Sequence, residues 1–337
     1  MIQASPQHRN EPRDLGGGTE RGFWMRSLRF AGLHRVLHLI SQHPEGIRAR
    51  DLNREIVAHA LYRTERGTPK KSTLYHCRNT LFRLGAIRCS RRGVFVASDH
   101  PAVRALLQGP PPTGDVLSEK ARESFGTLVI NNQDCHRHFF RLFLPGTRAL
   151  SPEQFRTCAQ PVVWRALPPT KTGRRVELRS ASTQDSIALA SPIEVQSILY
   201  GVRYWAWEEL QLIDEFFETG RGSVMYPVRL RGPAVGAATV LERLLALPRE
   251  PGDWTTVSVN DLLRQLGEGD GYRVATVFDG IRTLALQHRG YVVLIPTIPN
   301  MAAMSATSRN REALELGGYF KDSHGRIISH VRFHNSL

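Results

Sequence analysis

Lysine is scarce in this 337-residue chain: of 45 basic side chains only five are Lys, at positions 70, 71, 120, 171 and 321, and the rest are Arg. That scarcity makes two motif searches decisive. No G-x-x-x-x-G-K-[ST] loop is present, because Lys70-Lys71-Ser72 lacks the glycines that let a backbone cradle phosphates. A metal-dependent nuclease core wants an acid just ahead of a lysine, and the nearest case, Glu177-Leu178-Arg179, has Arg there. Cysteine is also sparse. Cys77, Cys89, Cys135 and Cys158 contain no C-x-x-C pair, which excludes a disulfide framework and a linear zinc motif and fits free thiols in a reducing, cytoplasmic compartment. No stretch approaches the roughly 18 to 20 apolar residues of a membrane span, and the first residues carry no apolar signal core. No enzymatic role, cofactor, metal or membrane partner is expected.

What the chain has is positive charge in one place. The formal net charge is +14, and between Arg21 and Pro110 there are 17 Lys or Arg against five acids, Glu45, Asp51, Glu55, Glu65 and Asp99. That quarter of the chain holds nearly all of the imbalance, the electrostatic pattern of a segment that lies along a polyanion. Residues 1–20, polar with Gly16-Gly17-Gly18, read as a flexible leader.

Over residues 24–97 the elements can be placed. Leu28, Leu33, Val36, Leu37 and Ile40 recur at helical period; His43-Pro44-Glu45-Gly46 breaks that helix, and a short strand and turn at 46–52 lead into a second helix over about 51–61. A basic loop, Arg63 to Lys71, closes on Ser72, expected as the N-cap of a third helix that runs to Leu84 and stops at Gly85. Leu74, Cys77, Leu81 and Leu84 share its inward face. Ser72, His76, Asn79 and Arg83 share another, a donor set suited to base edges, since Asn matches adenine and Arg matches guanine bidentately. Two strand-like segments, 86–90 and 94–98, flank Arg91-Arg92-Gly93.

This order of helix, helix, basic loop, helix and hairpin resembles the winged helix-turn-helix family. The resemblance implies nucleic-acid binding through Arg63, Arg66, Lys70, Lys71, Ser72, His76, Asn79, Arg83, Arg91 and Arg92. Winged helices also serve as protein-protein modules, but the run of cations from 62 to 92, opposed only by Glu65, favours phosphate contacts.

After Gly109-Pro110-Pro111-Pro112 the composition shifts. Strand-like runs are expected at 127–130, 138–144, 162–167 and 176–178, then one long helix from Ser191, with a capping box to Glu194, through about Thr219. Its second half is acidic (Glu208, Glu209, Asp214, Glu215, Glu218), and Trp205 and Trp207 together suggest an oligomer or partner face. Asp134-Cys135-His136-Arg137-His138 contains zinc-ligand types, but alternation along a strand would point Cys135 away from both histidines. Near the C-terminus the order helix, strand, helix, helix, strand recurs, with Asn260 as a cap, Asp279-Gly280 inside the third helix and a terminal hairpin over 319–333. Four Arg against six acids between Glu250 and Gly290 make this second winged-helix-like unit a poor phosphate binder, so oligomerisation or packing is its expected role.

The expected fold is therefore α+β and multidomain: a leader (1–20), a basic winged helix (21–108), a mixed α/β middle domain with one long helix (115–232) and a second winged-helix-like domain with a C-terminal hairpin (233–337). The expected function is non-enzymatic binding of double-stranded DNA, as a transcriptional regulator acting as an oligomer through the 192–219 helix and the C-terminal domain, nucleoid-associated if bacterial. Two alternatives stand beside it. One is a replication initiator of a plasmid or mobile element, which tandem winged helices resemble; the other is a nucleic-acid-gripping subunit of an antiviral, CRISPR-like ribonucleoprotein, with RNA as the possible ligand.

Overall fold

The computed structural model describes residues 28–62, 67, 69–90, 93–144, 146, 151–170, 173–183, 185–218, 221–229, 235–296, 320 and 326–337. The fold is α+β and multidomain. Its N-terminal unit comprises α1 (Phe30–Ser41), β1 (Ile47–Arg48), α2 (Ala49–Ala58), α3 (Lys71–Arg83), β2 (Ile87–Cys89) and β3 (Val94–Ala97). The antiparallel sheet has the order β1-β3-β2, so the last strand lies in the middle. Gly46, at φ +86, makes the turn into β1, and a Cβ there would sit 2.3 Å from a Val94 methyl, so only glycine fits.

Helix α1 is apolar nearly all round, and such a helix must be covered on every side. Leu33, Val36, Leu37 and Ile40 are buried. At its start, Phe30 lies 4.6 Å from the ring of Phe125 and 5.3 Å from that of Trp205, both in the middle region. One apolar core thus runs from Leu28 to Met225, and the proline linker separates elements without separating cores. Arg35 pins the linker, donating to the carbonyls of Leu61 (2.7 Å), Pro112 (3.1 Å) and Gly114 (2.6 Å).

The middle unit contains α4 (Pro101–Leu107), α5 (Glu119–Asn131), α6 (Gln133–His138), a 3-10 turn at Phe140–Leu142, α7 (Pro152–Cys158), β4 (Val162–Thr170), β5 (Gly173–Ser180), β6 (Ser186–Leu189), α8 (Pro192–Ser197), β7 (Ile213–Glu218) and β8 (Gly222–Pro227). Its five-stranded antiparallel sheet has the order β6-β5-β4-β8-β7.

Two expectations fail here. Residues 127–130 and most of 138–144 are helical, not strand: α5 is capped by Ser118, and the Thr127 hydroxyl turns back onto the Glu123 carbonyl at 3.0 Å, so a β-branched run is accommodated in a helix buried from Phe125 to Ile130 apart from Thr127. The long helix is also shorter than expected. Capped by Ser191 and Glu194, α8 continues through wider π-type turns at Ile198–Val202 and Trp205–Glu209. Gln211, at φ +51, then reverses the chain, and Ile213–Glu218 pairs with β8 as a strand. Acids expected along the second half of that helix are engaged within the chain. Glu215 chelates Arg203 in a buried ion pair and Glu218 binds Arg264 and Arg221. Both tryptophans are satisfied within the chain: Trp205 is fully buried and donates to the Leu28 carbonyl (3.1 Å), and Trp207 donates to Asp214 (2.7 Å). Both indoles are thus accounted for within the chain, so the tryptophans themselves do not call for a partner face.

The C-terminal unit comprises α9 (Ala237–Leu245), β9 (Trp254–Ser258), α10 (Val259–Leu262) with a π-type extension at Leu263–Gly269, α11 (Val274–Gln287), β10 (Val292–Pro296) and β11 (Ile328–His334). Ser258, not Asn260, supplies the cap of α10, accepting from the Asn260 amide. Of the expected terminal hairpin, Tyr319 and residues 321–325 lie outside the described residues; Ile328–His334 forms β11, inserted between β10 and β9, and the Ile328 amide donates to the Phe320 carbonyl at 2.8 Å. Here too the last strand is central, so the two end units share element order and sheet order.

Candidate nucleic-acid interface

Helix α3 begins one turn-position earlier than its sequence suggests. Lys70 is the N-cap residue, its carbonyl taking the first helical bond from Leu74 at 3.1 Å, and it provides no side-chain cap. Ser72 consequently lies inside the first turn and is exposed, as are Lys70 and Lys71. The first amides of a helix have no intrahelical acceptor and carry the positive end of its dipole. With two lysines beside them and no carboxylate in the first turn, this terminus is arranged for an anion.

Leu74, Cys77, Leu81 and Leu84 face the core, and His76 and Asn79 are half-buried along the other side. Arg83 is placed differently from the rest of that row. Its carbonyl accepts from the Asn132 side chain at 2.7 Å, and Asn132 also caps α6, so the C-terminal end of α3 is fastened to the middle unit. The open part of α3 is its N-terminal half. Arg63, Arg66, Arg91 and Arg92 lie outside the described residues.

The basic count is also redistributed. Arg78 is structural: it donates to Asn53, its guanidinium stands 5.9 Å from the Phe95 ring centre, and burial lowers its pKa. Arg88 pairs with Asp99, and Arg54 with Asp51 at 2.9 Å. Two cations that the helix-face argument passed over are exposed: Arg48, opposite Val94 in the sheet, and Arg50 in the first turn of α2. Their signal in the sequence was position alone, between the short strand and the second helix.

In the C-terminal unit the equivalent helix start is closed. The Val274 amide at the head of α11 donates to Asp214 at 2.9 Å, while the other oxygen of that carboxylate accepts from Trp207 (2.7 Å) and the Glu215 amide (2.9 Å); Arg273 stands 3.5 Å away. Burial raises the Asp214 pKa, and Arg273 and the three donors oppose that rise. The outer face of α11 presents Ala275, Asp279, Thr283 and Leu286, with Arg282 held by Asp279 at 2.5 Å. Gly280 is a packing position: a Cβ there would come within 2.7 Å of the Val235 carbonyl. The same short middle segment closes α1, where the Phe30 amide donates to Glu209 at 2.8 Å, in a site whose burial raises the Glu209 pKa.

Cys135 is buried in α6, and burial raises its thiol pKa. Among the described residues no group of three or more His, Cys, Asp and Glu could hold a metal ion, and no helix is long and apolar enough to cross a membrane. No family model, curated protein or solved structure matches the chain.

Proposed function

We propose that this protein is a non-enzymatic, double-stranded DNA-binding protein, a transcriptional regulator whose N-terminal unit is a winged helix-turn-helix with α3 as its recognition helix. The observation that carries this reading is the uncapped start of α3, with Lys70, Lys71 and Ser72 exposed around it. A phosphate held there would set the register, and Asn79 and His76 would reach base edges from the following turn. Supporting it is the element order with the sheet order β1-β3-β2, in which a hairpin stands beside α3 and Arg48 lies on the neighbouring strand. The regulator reading further holds that two copies engage paired half-sites.

Binding of the full chain to duplex DNA across a series of salt concentrations tests it. Affinity should fall steeply with salt, and selection from a random pool should yield an inverted repeat. Absence of duplex binding at low salt would end the proposal. A second reading, a replication initiator of a mobile element, draws on the repetition of the same sheet order in the C-terminal unit; it requires direct repeats in a footprint, and the closed start of α11 weighs against it.

A further inference from the structure

The sheet of the C-terminal unit has one face turned to its core and one turned outward. Val257, Val292, Val331 and Phe333 are buried on the inner side. The pairing register fixes what the outer side carries, because directly opposed residues share a face. At one end His334 lies opposite Trp254, and Tyr291 continues the row, its carbonyl accepting from the His334 amide at 2.8 Å. In the next row Arg332 of the central strand stands between Thr256 and Val293, and in the third His330 stands between Ser258 and Ile295.

The first two rows combine flat rings with a cation. The His334 ring lies 5.1 Å from that of Trp254 and 5.7 Å from that of Tyr291, close to perpendicular to each. The Arg332 guanidinium stands 5.1 Å from the Trp254 ring centre, within cation–π range. This surface is open: Tyr291 is 50% exposed and Val293 44%, and Arg332 and His330 are exposed beside them. Charge is also segregated. The unit has six acids between Glu250 and Gly290, yet β9, β10 and β11 contain none, and Arg332 has no ion pair among the described residues.

We infer that this sheet face is a platform for single-stranded nucleic acid, with bases stacked on Trp254 and Tyr291 and the phosphate between them against Arg332. The two rings flank the central strand, roughly 10 Å apart at about 4.8 Å per strand spacing. Aromatic side chains for the bases and cations for the backbone are what hold a strand whose bases are free to stack. A duplex fits this face less well, because its bases are already stacked on one another and must be extruded before a side chain can reach their faces. A proline-rich peptide also lies on aromatic ridges, but it gives no role to Arg332 or to three strands without a carboxylate. All of these residues lie in the C-terminal unit, so the inference does not depend on the duplex-binding reading of α3.

The test titrates the full chain into labelled oligo(dT) and oligo(rU) of about 12 nucleotides, a length within the range of small single-strand sites, over a salt series. Binding of either oligomer is the expected result, and the tighter of the two names the sugar. Tyr291→Ala should weaken it roughly tenfold, while Tyr291→Phe, which keeps the ring, should bind as wild type does. Arg332→Gln should lower the slope of log affinity against log salt by about 0.7, one phosphate contact on a single strand. An abasic strand of the same length should bind wild type as weakly as the oligomers bind Tyr291→Ala. Lys70→Ala with Lys71→Ala should leave all of these differences in place. If the abasic strand binds wild type as tightly as the oligomers, or if Tyr291→Ala and Arg332→Gln both match wild type, the face is not a platform. Binding of an oligoproline peptide that Tyr291→Ala abolishes, with neither oligomer bound, would make it a peptide site and overturn the proposal. Should Tyr291→Ala melt early, Val293→Glu, at an exposed position beside Arg332, should weaken oligomer binding and leave duplex binding unchanged. Loss of duplex binding with oligomer binding intact would end the α3 reading alone.

Discussion

The N-terminal and C-terminal units have the same element order and the same sheet order, with the last strand central in each, yet they treat the start of their third helix in opposite ways. At α3 the orphan amides receive no side-chain cap from Lys70 and lie beside two exposed lysines; at α11 the first amide meets the buried carboxylate of Asp214, which fills the position an external anion would take. The difference separates topology from function. One architecture gives a helix start without a side-chain cap or a closed internal joint according to what stands at the terminus. The closing groups for α1 and α11, Glu209 and Asp214, come from a stretch of six residues in the middle unit, so that unit is the clamp that fixes both neighbours.

The largest effect is expected from removing the clamp. Asp214→Ala should orphan the Val274 amide and the Trp207 indole and leave Arg273 without its carboxylate, costing about 3 kcal/mol in denaturant unfolding. DNA affinity should stay within about twofold, because the outer face of α11 is neutral. If this variant, or the milder Asp214→Asn, bound DNA markedly tighter, the closed terminus alone would be what silences the C-terminal unit.

Next in size is the open terminus. Lys70→Ala with Lys71→Ala should weaken duplex binding roughly 30-fold at 0.15 M salt, from two lost contacts at about 0.9 in slope each, and should do so equally on specific and random DNA. Unfolding should be unaffected, since both side chains are exposed. Asn79→Ala probes the next turn. It should cost about 1 to 2 kcal/mol on the preferred site alone, read as a smaller ratio between specific and random duplex. A uniform loss across sequences would mean that Asn79 touches the backbone and not a base.

Much of this contrast was visible in the order of residues. The period of Leu74, Cys77, Leu81 and Leu84 places α3, and Gly85, at φ +71, ends it. The four Arg against six acids between Glu250 and Gly290 separate the units chemically. What could not be read was anything fixed by distant partners. Asp214 and Glu215 read as the acidic second half of a long helix until Val274 and Arg203 are brought to them from outside their own strand. Arg78 counts as a phosphate ligand until Asn53, 25 positions away, claims it. Residues 127–130 have β-type side chains, and only the cover on both sides of α5 makes a helix the better solution. Ser72 is a good cap by type, but the helix starts at Lys71, so the cap position falls on Lys70.

The smallest predicted effect concerns how each end unit is joined to the middle when the pH falls. The N-terminal joint includes His34, 2% exposed, whose Nε2 donates to the Leu106 carbonyl at 3.0 Å while its buried Nδ1 has no partner among the described residues. Burial, first, and the charges of His38 and Arg35 lower its pKa below 6.5. The unfolded chain therefore binds a proton here more readily than the folded one. Its contribution to stability is complete above pH 6.5 and declines as the pH drops from there toward the lowered value, by at most about 1.4 kcal/mol per pH unit. At the C-terminal joint the sign is reversed: the Asp214 pKa is raised, so acidification in the range above its ordinary value does not weaken that joint. Hydrogen exchange between pH 7.5 and 5.5 should show protection in α1 declining before protection in α11, and His34→Gln should abolish that difference by removing the titrating group while retaining a donor toward Leu106. Parallel decline in both helices would mean that the histidine is not what makes the N-terminal joint acid-sensitive.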